Sequence, residues 1–480
     1  MLLAALPPLA ARAAPADLDP GFGIGGKVTT PIGSDDDSAS ALALQGDGKI
    51  VAVGISHNGS DFAFAVVRYN PNGSLDAGFG SGGKVTTDIG SGDDFAEAVA
   101  VASDGKILVA GESDNGPNSD FSLVRFNPDG SLDTTFDTDG KVLTDFQGGD
   151  DGALGMAIQS DGKIVAAGDS FQDQDSDFAL ARYNSDGSLD PSFGGDGKVT
   201  TDIGSDDDSA FGVALQGDGK IVAAGSSFDV ALGTFDFALA RYNQNGSLDP
   251  TFAGDGTATT AVGSGFDEAA YVAVQADGRI VAAGESASGT SSDFALARYR
   301  PDGTLDPSFG GDGTVVTSIS PGDDGAFGVA LAPSGKIVAA GDAFGVENFD
   351  FALARYNPDG ALDTTFAGDG TATTSVGPGD DGALGVAIQG DAKIVAAGFS
   401  FNGANHEFAL VRYQGDQPGP PPPPSGAQII AGPGSGGGGR VKVFSGSSGA
   451  ELRSFLAYGP GFTGGVRVAS GDVTGDGIPD

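Results

Sequence analysis

The 480-residue chain contains no cysteine and no tryptophan, and only two histidines. Without cysteine it can form no disulfide framework, no thiolate zinc site and no thiol nucleophile. Basic residues are scarce, because 24 lysines and arginines stand against 65 aspartates and glutamates, which gives a formal charge of −41. This charge argues against nucleic-acid binding, which needs lysine and arginine on the phosphates, and against docking on an anionic membrane.

Long apolar runs are also missing. No run approaches the roughly 20 residues of a membrane-spanning helix, and no segment has the period or the caps of a helix. Hydrophobic residues still make up 39% of the chain and charged residues 19%, which is enough apolar content to bury a core. Glycine is abundant, with 83 residues. We therefore expect a folded, glycine-rich β protein with no membrane span.

An internal repeat dominates the sequence. Three phrases, D-F-A-L-A-R-Y-N, D-G-K-I-V-A-A-G and L-D-x-x-F, each recur seven times, in steps of 57 residues with one step of 59. The arginine of the first phrase is Arg68, Arg125, Arg182, Arg241, Arg298, Arg355 and Arg412. The basic residue of the second is Lys49, Lys106, Lys163, Lys220, Arg279, Lys336 and Lys393. The aspartate of the third is Asp19, Asp76, Asp133, Asp190, Asp249, Asp306 and Asp363.

Each copy predicts four short strands. In the fourth copy the first three are residues 212–216, 220–225 and 237–243, and in the copy before it the last strand is 197–203. The Asp218-Gly219 turn between the first two is typical of a tight hairpin. Four strands in a repeat of this length indicate a propeller blade, because the coils of a β-helix are much shorter.

The two ends of the array are complementary. Residues 18–30 supply a last strand before any first strand, and the array stops after a third strand at Arg412-Tyr413. We expect the N-terminal strand to complete the last blade, which leaves no open sheet edge. The sequence thus predicts an all-β fold, a monomeric seven-bladed β-propeller of four-stranded antiparallel blades, over residues 17–414.

The repeated phrases resemble a known family. L-D-x-x-F-G-x-x-G-K-V, V-A-x-Q-x-D-G-K-I-V-A-A-G and F-A-L-A-R-Y-N are similar to the delta-60 repeat, a bacterial β-propeller domain of unknown function. The F-A-L-A-R-Y-N phrase departs at Phe126, and the D-G turn becomes Asp391-Ala392 in the last copy. The resemblance implies the fold and brings no activity with it, so function has to be argued from sites.

Three further segments flank the propeller. Residues 1–16, MLLAALPPLAARAAPA, form a short apolar stretch followed by small residues and resemble the end of a secretory signal peptide. Residues 415–426 contain a polyproline run, which favours an extended, semi-rigid linker. Residues 427–480 have a different composition, so we expect a separate C-terminal segment. The signal-peptide-like leader predicts that the protein is exported.

The C-terminal segment contains a cation-binding pattern. Oxygen side chains stand at relative positions 1, 3, 5 and 9 of 472–480, and Gly477 permits the sharp turn of a Ca²⁺ loop. The expected ligands are Asp472, Thr474, Asp476, the carbonyl of Ile478, and Asp480. With the preceding residues the loop resembles part of an FG-GAP/VCBS-type, integrin-like repeat, which implies a Ca²⁺ loop between two strands. The alternative is an Asp/Gly-rich tail without a site.

The connections of each blade fall on two faces. The turns between first and second strands, and between third and fourth, lie on one face and hardly vary. The loops between second and third strands lie on the other face, differ in every copy and carry the two-residue insertion in the fourth. Variable loops on a constant scaffold are a usual place for recognition. The alternative is that nothing constrains them.

A carboxylate stands twelve residues before each basic residue of the second phrase. These collar aspartates are Asp37, Asp94, Asp151, Asp208, Asp267, Asp324 and Asp381, and in six copies a second aspartate precedes them. One interpretation is turn chemistry, because aspartate accepts backbone N–H groups in tight turns. The other is a sevenfold anionic collar that binds cations or cationic groups.

Catalytic motifs are not evident. No nucleophile with an orienting base is recognisable, and the repeat itself generates the many carboxylate pairs. His57 and His406 fall in loops of blades 1 and 7, which closure would make neighbours, so they are either exposed loop residues or a shared metal site. We expect a secreted or cell-surface, non-catalytic binding or adhesion scaffold for an extracellular protein or polysaccharide, with Ca²⁺ as its cofactor. The alternatives are an extracellular glycan hydrolase or lyase that uses loop carboxylates, and a purely structural surface spacer.

Overall fold

The structure is a computed structural model that describes residues 14–172, 175–204, 206–289 and 291–416, with three further strands beyond them. The chain divides into two units, Met1–Gly415 and Asp416–Asp480. Most of the predicted leader and linker lies outside the described residues. In the second unit β-strands Gln428–Ala431, Arg440–Ser445 and Glu451–Leu456 form an antiparallel sheet in that order.

The first unit consists of seven four-stranded antiparallel sheets, and its described residues contain no helix. Strand β1 (Lys27–Thr30) belongs to the last sheet. Blade 1 contains β2 (Asp37–Leu44), β3 (Ile50–His57), β4 (Phe62–Tyr69) and β5 (Lys84–Thr87); blade 2 contains β6 (Asp94–Val101), β7 (Ile107–Asp114), β8 (Ser119–Phe126) and β9 (Lys141–Thr144). Blade 3 contains β10 (Asp151–Ile158), β11 (Ile164–Gln172), β12 (Asp175–Tyr183) and β13 (Lys198–Thr201); blade 4 contains β14 (Asp208–Leu215), β15 (Ile221–Asp229), β16 (Thr234–Tyr242) and β17 (Thr257–Thr260). Blade 5 contains β18 (Asp267–Val274), β19 (Ile280–Ser288), β20 (Ser291–Tyr299) and β21 (Thr314–Thr317); blade 6 contains β22 (Asp324–Leu331), β23 (Ile337–Phe344), β24 (Phe349–Tyr356) and β25 (Thr371–Thr374). Blade 7 contains β26 (Asp381–Ile388), β27 (Ile394–Phe401), β28 (His406–Tyr413) and, as its fourth strand, β1.

The sheets form a ring whose first strands line a central channel. The seven-bladed propeller predicted from the repeats is therefore confirmed, and so is its closure: β1 pairs with β28, with Lys27 opposite Val411 and Thr30 opposite Phe408. No helix in the described residues is long and apolar enough to span a membrane.

The predicted strand boundaries are less accurate than the predicted blades. The first strand of blade 4 begins at Asp208, four residues before the prediction, because a β-bulge between Ala210 and Gly212 interrupts its register. The same bulge recurs in every first strand, and it breaks the alternation on which the sequence pattern depends. The fourth strand of blade 3 is shorter than predicted and covers only Lys198–Thr201.

The second and third strands form the core of each blade. Ile221, Val222, Ala223 and Ala224 are all fully buried, because neighbouring blades cover both faces of the sheet. Burial on both faces explains why these strands read as continuous apolar runs and not as alternating patterns. The glycine that follows them has a steric reason, since a Cβ on Gly225 would lie 1.8 Å from the carbonyl oxygen of Ser209 beside the bulge.

Tyrosine hydroxyls link adjacent blades. The hydroxyl of Tyr242, on the third strand of blade 4, donates a 2.9 Å hydrogen bond to Oγ1 of Thr201, on the fourth strand of blade 3. The same bond joins Tyr69 to Thr30, Tyr183 to Thr144, Tyr299 to Thr260, Tyr356 to Thr317 and Tyr413 to Thr374. Phe126 occupies this position in blade 2 and has no hydroxyl to donate. The repeated tyrosines are thus buried bridging residues.

A buried ion cluster lies under the turn face of each blade. In blade 4, Nε and Nη2 of Arg241 both lie 2.8 Å from Oδ2 of Asp249, and Nζ of Lys220 lies 2.8 Å from the same oxygen. The guanidinium also covers the ring of Phe252, 4.7 Å from its centroid, and donates to the carbonyl of Pro301 in blade 5. Each cluster therefore holds the turn of one blade and part of the next.

The cluster occurs seven times. Its carboxylates are the seven aspartates of the L-D-x-x-F phrase, each paired with the arginine of its blade. In blade 7 the N-terminal Asp19 completes the cluster of Arg412 and Lys393, whereas Arg412 donates to the carbonyl of Pro71 in blade 1. Closure of the ring thus uses the same ion cluster as every other blade boundary.

Candidate functional site

A cavity of ≈ 240 Å³ lies at the centre of the ring, between the first strands of the seven blades. Its lining is mostly small or apolar and includes Phe211, Tyr271 and Phe327. Two acidic residues, Glu97 of blade 2 and Glu268 of blade 5, also line it. A mostly apolar cavity with a few polar groups is the usual composition of a ligand site.

The collar aspartates open the first strands and are buried. Asp267 is fully buried, and its carboxylate accepts the backbone N–H of Val262 at 2.8 Å and of Gly263 at 3.0 Å. The other six likewise accept N–H groups from the loop that enters their strand. These contacts are those of turn chemistry, one of the two interpretations drawn from the sequence, and they fasten the incoming loop to the channel strand.

A serine on the second strand normally stands opposite the collar aspartate. Ser113, for example, faces Asp94 and donates to its Oδ1. In blade 6 the position opposite Asp324 is Ala343, and Ser320 supplies the hydroxyl instead, 2.6 Å from Oδ1 of Asp324. In blade 6, Ser320 thus supplies the hydroxyl donor that the second strand lacks opposite Asp324.

The second aspartates join neighbouring blades. Oδ1 of Asp207, at the entrance to blade 4, accepts the N–H of Ser176 in blade 3 at 3.1 Å. Across the closure, Oδ1 of Asp36 accepts the N–H of His406 at 2.8 Å. Blade 5 has Phe266 at this position, and its ring packs edge-on against Phe235 of blade 4 at 5.7 Å.

The two histidines lie on either side of the closure. Nδ1 of His57 is 3.2 Å from Oδ2 of Asp35, whereas Nδ1 of His406 is 3.3 Å from Oδ1 of Asp36. Each histidine therefore has its own carboxylate partner. Within the described part of the chain, no group of three metal-ligating side chains contains a histidine.

Two groups of carboxylates near the channel have raised pKa values. Burial, together with the charge of Glu112, raises the pKa of Glu97 and of Asp169 to about 7. Burial and the charge of Glu285 do the same for Glu268 and Asp342. The first group spans blades 2 and 3 and the second spans blades 5 and 6.

The repeat pattern did not single out these channel carboxylates. Four of them directly follow the I-V-A-A-G or I-L-V-A-G run of their second strand: Glu112, Asp169, Glu285 and Asp342. The other copies carry Ile55, Ser226 and Phe399 there. An acidic residue at the end of an apolar run was the available signal, because that run was already predicted to be buried.

The loop face exposes apolar side chains. Val346 of blade 6 is 96% exposed, and Leu232 and Val230 of blade 4 are 67% and 58% exposed. Phe171 of blade 3 is 43% exposed. All four lie at or within the variable loops between second and third strands, and blade 4 is the copy with the two-residue insertion.

The predicted Ca²⁺ loop lies outside the described residues. Asp472, Thr474, Asp476, Ile478 and Asp480 all fall in this part of the chain. Calcium binding by these residues stays a prediction.

No curated protein matches the sequence. Among solved structures, Sqt1 from Chaetomium thermophilum is 12% identical with a TM-score of 0.41, and the match covers 82% of this chain and 100% of that one. U3-55K is 10% identical with a TM-score of 0.44, covering 80% and 98%. The polysaccharide lyase Uly1 is 12% identical with a TM-score of 0.39, covering 78% and 90%.

A family described as "Domain of unknown function (DUF5122) beta-propeller" matches six segments, residues 45–79, 102–136, 159–193, 216–252, 275–309 and 332–366. Each segment runs from the end of a first strand to the phenylalanine of the L-D-x-x-F phrase. The seventh copy is split in the sequence, because three of its strands come at the end of the propeller and its fourth strand, β1, comes at the start. These six segments of the propeller are thus similar to DUF5122 β-propeller repeats.

Proposed function

We propose that the chain is a secreted or cell-surface, non-catalytic scaffold that binds an extracellular protein or polysaccharide through its loop face. The C-terminal loop, Asp472–Asp480, binds Ca²⁺ in this proposal. The turn face is unsuited to recognition, because its side chains are committed to seven equivalent ion clusters. The loop face has the same backbone framework but a different loop in each blade.

The exposed apolar residues of the loop face carry the proposal. Single exposed hydrophobic residues are normal on a protein surface. Here four of them, in blades 3, 4 and 6, lie on one face and in the segments that vary most. Apolar side chains amid polar loops are typical of an interaction site, and the acidic charge around them favours a partner with basic or cation-bearing groups.

A loop-face variant tests the proposal. We expect the triple variant Val230→Ser, Leu232→Ser, Val346→Ser to bind at least about 100-fold more weakly, because burying each such side chain contributes ~1.5–3 kcal/mol. The measurement is binding of the purified chain to arrays of extracellular proteins and polysaccharides, followed by titration of each ligand found. The matched control is Ile24→Ser, which removes a 90% exposed side chain from the turn face. Equal affinity of the triple variant and the wild type would contradict the proposal.

A second candidate function is cleavage of glycans, by hydrolysis or by the elimination reaction of a lyase. The channel carboxylates favour this candidate. Paired carboxyl groups with pKa values near 7 are suited to general acid–base chemistry at neutral pH. If the chain is such an enzyme, Glu97→Gln and Glu268→Gln each reduce turnover on a panel of polysaccharides by at least about 100-fold. The exposed Glu347→Gln leaves turnover unchanged. Absence of turnover by the wild type across the panel would exclude this candidate for those substrates.

A further inference from the structure

Three aspartates converge at each of two successive blade boundaries. Between blades 2 and 3 they are Asp120, Asp145 and Asp151, and between blades 3 and 4 they are Asp177, Asp202 and Asp208. In both groups one oxygen of each carboxylate lies within 4.8 Å of an oxygen of the other two. The first member is on the third strand of one blade, and the other two are on the loop and first strand of the next blade.

The member of each group that lies on the first strand is buried and has an unused oxygen. Asp151 and Asp208 are 1% and 0% exposed, and their Oδ1 atoms accept no hydrogen bond. Ser170 and Ser227 stand opposite them, and hydrogen bonds from their hydroxyls act to lower the pKa of the two carboxyl groups, but Oδ1 itself remains without a donor. In the other five collar aspartates Oδ1 has a donor. A buried carboxylate oxygen without a partner is costly unless something else binds it.

The two free oxygens occur only where the group of three is complete. At the loop position of Asp145 and Asp202, the other boundaries carry Pro31, Asp88, Ala261, Ser318 and Ser375. Asp88 does not complete a group, because Ala63 takes the position of Asp120 in blade 1. Within one chain, then, the free buried oxygen and the third carboxylate appear together at two boundaries out of seven.

No basic side chain in the described residues forms a salt bridge with any of these six aspartates. Lys198 comes closest in the fold, but its Nζ donates to the backbone carbonyl of Asp145 at 2.9 Å. At the second boundary the corresponding residue is Thr257. Oδ1 of Asp350 also lacks a donor. This carboxylate is less buried, however, and a hydrogen bond from Ser375 and the charge of Lys27 both act to lower its pKa.

We propose that Asp120, Asp145 and Asp151 bind one divalent cation, and that Asp177, Asp202 and Asp208 bind a second, each across a blade boundary. The donors are carboxylate oxygens without nitrogen or sulfur, which selects a hard cation. Three carboxylates supply only part of the ~6–8 oxygen ligands of Ca²⁺, and ligands from two separate blades suit its flexible coordination better than the strict octahedron of Mg²⁺. Each ion joins two blades at the loop face.

Calcium titration of the full chain tests the proposal. The purified protein is stripped with EDTA, returned to buffer at pH 7.5 and titrated with CaCl₂ by calorimetry. The test variant is Asp145→Ser with Asp202→Ser, which places at both boundaries the serine that Ser318 and Ser375 supply elsewhere in the ring. Both aspartates are exposed, so the variant keeps the buried contacts. The matched control is Asp88→Ser, the same exposed position at a boundary with an incomplete group.

We expect the double variant to bind two fewer Ca²⁺ ions than the wild type and Asp88→Ser to bind the same number. The Ca²⁺-dependent rise in Tm falls in the double variant only. The C-terminal loop is counted separately with Asp472→Asn and Asp476→Asn, so loss of that ion leaves the two boundary ions in place. Equal ion numbers in the double variant and the wild type would overturn the proposal, as would an equal loss in Asp88→Ser.

Discussion

Replacing Asp249 by alanine is expected to lower the free energy of unfolding by about 3–5 kcal/mol. The substitution leaves the guanidinium of Arg241 buried without its carboxylate, and it also removes the partner of Lys220. Burial alone would raise the pKa of Asp249, but hydrogen bonds from Lys220 and Thr251 and the charge of Arg241 hold that pKa well below its usual value. The carboxylate is therefore ionised, and paired with Arg241 and Lys220, at neutral and mildly acidic pH.

Urea unfolding, followed by circular dichroism and by tyrosine fluorescence, measures the effect when both probes give one transition. The matched control is Asp218→Ala. Asp218 also faces Lys220, at 3.8 Å, but on the surface, so its loss costs less than about 1 kcal/mol. Similar losses in the two variants would show that the buried clusters do not hold the blades together.

Raising the pH from 5 to 8 in EDTA is expected to lower the free energy of unfolding by several kcal/mol. The pKa values of Glu97, Asp169, Glu268 and Asp342 are about 7 in the folded chain, well above their ordinary values of 4.5 and 3.8. These groups hold a proton more tightly when folded, so their contribution is full below the unfolded pKa and is lost as the pH rises to 7. One pH unit between the two pKa values corresponds to about 1.4 kcal/mol for each group.

At acid pH the free energy of unfolding changes in the opposite direction, and it falls as the pH is lowered. Burial raises the pKa of the L-D-x-x-F aspartates, but their hydrogen bonds and basic partners outweigh it, so all seven pKa values lie below 3.8. Their contribution is present above the unfolded pKa and is lost as the pH falls through the folded pKa. Together the two sets place the maximum of stability at mildly acidic pH.

Urea unfolding across pH 3–9 measures this profile. In the variant Glu97→Gln, Asp169→Asn, Glu268→Gln, Asp342→Asn, the decline between pH 5 and 8 flattens, because these side chains no longer ionise. The control Glu347→Gln, on an exposed loop residue, keeps the decline of the wild type. A steep decline that persists in the fourfold variant would assign it to other groups.

Sequence alone predicted the blades well because the signals were redundant. Three phrases in fixed spacing set the number of copies, and the phase at residues 18–30 and 413 set the closure. The strand ends were missed where local geometry departs from a regular pattern, as at the bulge between Ala210 and Gly212. Such a bulge moves the residues that follow it to the other face of the strand, so a regular alternating pattern cannot predict it.

The channel carboxylates were missed for a different reason. Besides burial, the charge of Glu112 raises the pKa of Asp169, and it does so only because blades 2 and 3 pack together. Reading each repeat by itself treats them as two copies of one position and not as neighbours. The boundary aspartates are similar, since Asp120 joins Asp145 and Asp151 only when one blade meets the next. Aligning the end of one repeat with the start of the next would have found both.

The pairing of β1 with β28 also sets the order of events during synthesis. Asp19 and Arg412, which join across the closure, are separated by 393 residues. At ~5–20 residues per second, a ribosome makes the second partner about 20–80 s after the first. During that time β1 lacks the strand with which it pairs, and its four-residue length and its first residue, Lys27, limit wrong pairing with other chains. Strand β1, the earliest propeller strand in the chain, is therefore the last to pair with its neighbour.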